Sequence, residues 1–108
     1  MTTMDVSTIY LSKVWLYAWL WGAGNVPVAG KSLDFTVDQD GDDSNGFQAQ
    51  EIASMTTDST GMARVYYFAA KVGFCGTRTY RYRAAFAGDG SYGGSTADGL
   101  ITETNPYC

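Results

Sequence analysis

The stretch TRTYRYRAAFA at residues 77–87 decides the fold class. Tyr80, Tyr82, Ala84 and Phe86 fall on one side of an extended chain, and Thr79, Arg81, Arg83 and Ala85 on the other. Successive side chains of a strand point to opposite faces, so one side is a core face and the other must be wet. This is the pattern of a half-buried strand.

Worked outward, the same period of two recurs. In residues 31–38, Leu33, Phe35 and Val37 alternate with Ser32, Asp34, Thr36 and Asp38. Segments 6–12, 13–21, 50–56, 62–69 and 96–104 complete seven strands. Turn chemistry separates them: Gly22, Gly24, Asn25, Pro27 and Gly30, then an acidic loop at 39–46, then Asp58-Ser59-Thr60-Gly61. Residues 14–21, which run into Gly-Ala-Gly, make a poor helix. Strands at this spacing with no helix between them predict a sandwich. The expected core is Leu16, Leu33, Phe35, Val37, Val65, Tyr82, Ala84 and Phe86. With the third and sixth strands as neighbours, two readings stay open: Asp34 and Asp38 meet Arg81 and Arg83 across the strands, or the charges form a solvated face.

Composition bounds the function. The 108 residues suit a single domain, 1–108, and 15% aromatics with 13 glycines favour strands and turns. A net charge of −4 with only seven cations argues against a nucleic-acid partner. The chain has no histidine, which removes the commonest general base and the commonest transition-metal ligand. Asp5, Glu51, Asp89, Asp98 and Glu103 are scattered with no visible pairing, so no enzyme and no cofactor are expected. Asp89, between Gly88 and Gly90, is expected to tie a turn. The N-terminus shows no signal-peptide pattern, and the apolar run 14–23 is about half of a membrane span.

Three stretches resemble the bacterial immunoglobulin-like (Big) domain family: VPVAGKSLDFTVD at 26–38, MTTDSTGMARV at 55–65 and AAFAGDGSYGGST at 84–96. Their order and spacing also match, and the resemblance covers about residues 5–104. It implies a seven-stranded antiparallel immunoglobulin-like Greek-key sandwich, used as a spacer or adhesive unit in surface proteins and sometimes on virions. It transfers no catalytic residue. The departures are the large rings on the second strand, the two cysteines and the long acidic loop.

Those departures supply the candidate sites. Alternation that sends Val14, Leu16, Ala18 and Leu20 inward sends Trp15, Tyr17, Trp19 and Trp21 outward. The fifth strand adds Met62, Arg64, Tyr66 and Phe68 beside them. Soluble monomers rarely expose so large an apolar patch without a use for it. The readings left open are a protein contact or self-assembly, sugar stacking in a carbohydrate-binding module, a strand shifted by one, or cover from Phe47 or the N-terminal strand. Asp38, Asp40 and Asp42 resemble the opening of a calcium loop, but Asp43 and Ala49 stand where such a loop needs Gly and Glu. A hairpin centred near Ser91 and Tyr92 sets Cys75 across from Cys108, within a residue or two, and predicts a disulfide, the alternative being two unrelated thiols. A bridge places the chain outside a reducing cytosol, whether extracellular, on a cell surface or on a virion.

Overall fold

A computed structural model describes residues 1–38, 49–70 and 75–106. Its strands are β1 (Thr2–Thr3), β2 (Val6–Ile9), β3 (Ser12–Trp19), β4 (Ser32–Asp38), β5 (Ala49–Thr56), β6 (Met62–Ala69), β7 (Gly76–Phe86) and β8 (Ser95–Asn105). A short 3-10 turn at Ala23–Asn25 is the only helical element among the described residues. No helix among them is long and apolar enough to cross a membrane.

Two sheets face each other. The small one has the order β1-β3-β6 and the large one β2-β8-β7-β4-β5. The eight expected core residues are all buried between them. Leu16, Ala18 and Leu20 are buried too, so the second expected strand is not shifted by one. Burial of alternate residues along β7 (Tyr80, Tyr82, Ala84 and Phe86) follows the period that its sequence shows.

Three expectations need correction. Eight strands replace seven among the described residues, because the N-terminal segment contributes two short pieces to two different sheets. Thr2 and Thr3 pair antiparallel with Trp19 and Ala18, whereas Val6–Ile9 pair with Ile101 to Thr104. That second pairing is parallel, so the sandwich is not wholly antiparallel. The third correction concerns charge. β4 and β7 are neighbours, but Asp34 accepts from the Ser54 hydroxyl, and Asp38 is fully buried at the end of β4. The carboxylate that holds Arg83 is Asp98 on β8, with Nε–Oδ1 at 2.7 Å and Nη2–Oδ2 at 3.1 Å, and Arg81 reaches the same group at 3.5 Å. Register explains it: Asp98 lies directly across from Arg83, whereas Asp34 lies across from Ala85.

Two turns are built as their residues suggest. Asp89 accepts from the Ser91 and Tyr92 amides at 2.8 and 2.9 Å and from Lys31 Nζ at 2.5 Å. The Lys31 ammonium and the two amides hold its carboxyl down at a pKa of about 2. Asp58 accepts from the Thr60 and Met62 amides, and Gly61 follows at φ 79°, where an added Cβ would stand 2.7 Å from the Leu20 carbonyl oxygen. Only glycine fits that left-handed position.

Candidate functional site

The small sheet carries the aromatic row. Register sets Trp15 across from Tyr66, Tyr17 across from Arg64, Trp19 across from Met62 and Lys13 across from Phe68. Their intervening neighbours Leu16, Ala18, Ala63, Val65 and Ala69 are buried, so all eight point away from the core.

The rings interleave. Tyr66 stacks on Trp15 with centroids 3.5 Å apart and planes 24° from parallel. The Arg64 guanidinium stands over Trp15 at 4.2 Å. Two groups this close to one ring centre take opposite faces of it, so Trp15 is sandwiched. Lys13 lies 5.8 Å over Tyr66, and Tyr17 stacks near Trp19 at 5.9 Å. Cation–π contacts of this kind contribute about 0.5–1 kcal/mol each at exposed sites. The row therefore covers part of its own surface: Trp15, Tyr17 and Trp19 are half-buried, while Tyr66 and Phe68 remain 54% and 51% exposed.

Trp21 leaves the row. It lies past the end of β3, bridges Pro27 and donates its indole N–H to Thr2 Oγ1 at 3.0 Å. With Tyr92 and Phe86 it lines a pocket of about 300 Å³ at the loop end of the sandwich. The sequence period alone sets it with Trp19, and the turn after β3 takes it elsewhere.

Most of the other sequence candidates fall outside the described residues. Asp38 is buried, and Asp40 and Asp42 lie outside the described residues. Among the described residues no group of three or more His, Cys, Asp or Glu is placed to hold a metal ion. Phe47, considered as a cover for the rings, lies outside the described residues, as does Cys108. The β7–β8 ladder pairs Gly76 with Asn105, so the position in line with Cys75 is Pro106, two residues short of Cys108.

One buried constellation escaped the sequence reading. The Tyr80 hydroxyl donates to Glu103 Oε1 and shares a 3.1 Å hydrogen bond with the Tyr67 hydroxyl. Glu103 is fully buried, and its second oxygen has no hydrogen-bond partner. Burial pushes the Tyr67 hydroxyl up to about 12 and Tyr80 higher still. Alternation from Ile101 would have turned Glu103 inward, but a lone carboxylate in a threonine-rich strand reads as solvated.

Comparison with protein-family models, curated proteins and solved structures gave no match.

Proposed function

We propose that this chain is a non-catalytic sandwich module of a surface protein, filament or virion, which joins its assembly through the outer face of the small sheet. The observation that carries the reading is the row on β3 and β6, where Tyr66 and Phe68 stay about half exposed beside stacked rings. Such a patch gains from being covered, at roughly 25 cal/mol per Å² of apolar area. Among the described residues the face holds two cations, Lys13 and Arg64, and no carboxylate, in a chain whose net charge is −4. An aromatic, mildly cationic surface suits a protein partner. Sugar stacking needs open ring faces, and both faces of Trp15 are occupied.

The resemblance to bacterial immunoglobulin-like domains belongs to the same proposal. Its support is the coarse architecture: two facing β-sheets with no helix longer than a single 3-10 turn among the described residues.

The test replaces Trp15 and Trp19 together by Thr. The double variant is expected to stay folded, because Leu16, Ala18 and Leu20 still fill the core, and to lose assembly or docking as read by sedimentation. A folded variant with undiminished association overturns the reading. So does a saturable change in the wild-type tryptophan fluorescence with a glycan, which would make the chain a carbohydrate-binding module instead.

A further inference from the structure

β6 is the outer strand of the small sheet and pairs with β3 alone among the described residues. The direction of its backbone groups follows from two bonds. The Gly61 and Ala69 carbonyls accept from Leu20 and Leu11 on the β3 side, so odd-numbered residues turn their peptide groups toward β3. Met62 does the opposite: its carbonyl accepts from the Asp58 amide at 2.9 Å, and its amide donates to Asp58 Oδ1 at 3.1 Å. Arg64, Tyr66 and Phe68 share the parity of Met62. Their three amides and three carbonyls therefore line an edge with no further strand beside it among the described residues, beneath the rings of the half-exposed Tyr66 and Phe68.

Among the described residues this edge lacks the usual protections. The strand MARVYYFA contains no proline, its pairing with β3 has no bulge, and its one charge is Arg64. Natural sheets blunt exposed edges with such devices, and a flat edge without them is a template for another strand.

We infer that β6 pairs antiparallel with β6 of a second copy of this chain, in a register centred on Tyr66. This names the partner for the contact surface proposed above. The pattern is self-complementary in that register. Tyr66 meets the other Tyr66, and each Arg64 meets the other copy's Phe68. All six edge groups of each chain then find partners, giving six hydrogen bonds across a two-fold axis. Met62, already tied to Asp58, falls just outside the ladder. A register centred on Arg64 would set two guanidinium groups opposite each other. The closed two-fold stops at a dimer and joins two three-stranded sheets into one of six strands. It also lays the two aromatic rows side by side on one continuous face.

The experiment follows the intact chain by sedimentation from about 10 μM to 1 mM, the range in which weak pairing shows. A reversible dimer is expected, with amide exchange at Arg64, Tyr66 and Phe68 slowing as concentration rises. Phe68→Pro removes an amide that faces the open edge and not β3, a position where a strand tolerates proline. It is expected to weaken the dimer about tenfold or more, and Phe68→Ala to weaken it less. If Phe68→Pro fails to fold, the exchange rates of the wild-type chain decide alone. A monomer across the whole range overturns the inference, yet leaves open docking of the aromatic face on a different protein. A dimer whose three edge amides exchange at a rate independent of concentration also overturns it. If that dimer is lost on replacing Trp15 and Trp19, the face reading survives and the edge pairing does not.

Discussion

The Tyr82 hydroxyl holds the N-terminal segment where it changes sheets. It donates toward the Met4 carbonyl at 2.5 Å, lies 3.0 Å from the Tyr17 carbonyl and accepts from the Met4 amide at 3.2 Å. Its ring has room because Gly99 stands across from it, and a Cβ there would fall 2.5 Å from the ring. Tyr82→Phe leaves the ring packed but strips partners from part-buried backbone groups, so it is expected to cost about 0.5–1.5 kcal/mol. Gly99→Ala forces that ring to move and is expected to destabilise as well. Urea denaturation reads both as a lowered midpoint with an unchanged slope. That Tyr82 is a core residue was legible from alternation. What its hydroxyl does was not, because Met4 lies 78 positions away in the sequence.

Strands three and six of the sequence reading, β4 and β7, pair as expected, but Asp34 is held by the Ser54 hydroxyl and not by an arginine. Neighbouring strands bring charges together only in the right register, and this ladder sets Asp34 across from Ala85. The β7–β8 hairpin has a register of its own. Its loop at 87–94 is tied by Asp89, and the ladder sums to 181, not the 183 that aligns Cys75 with Cys108. The bridge between these cysteines remains our expectation. Intact mass with and without reductant, after alkylation, checks it: no alkylation before reduction and two labels after. Closing a loop of this size is expected to contribute about 3–4 kcal/mol in the chain-entropy model, read as a lower unfolding midpoint in reductant. Two alkylated thiols in native, unreduced protein would refute it.

Across the whole molecule, buried phenols make stability depend on high pH. Burial first, and then the charge of nearby Glu103, raise the Tyr67 pKa from 10.0 to about 12, and burial raises Tyr80 and Tyr82 as well. For groups raised in the folded state, the stabilisation is fully present below about pH 10 and is lost as pH climbs through the folded value. Absorbance at alkaline pH is expected to show these three phenols ionising together with loss of near-ultraviolet dichroism, above pH 10. Gradual ionisation with the fold intact would contradict that. At the acid end Asp89, lowered to about 2, acts in the opposite sense: its contribution is present above about pH 4 and fades toward pH 2. By itself the sequence determined the strands, their inward faces and the outward rings, because a period of two and turn residues act locally and burial obeys them. Only the tertiary structure decided which strand edge stays open, how the rings of β3 and β6 stack, and that Glu103 and Asp38 are buried. Those depend on register and on sheet order, which bring together residues that no local pattern relates.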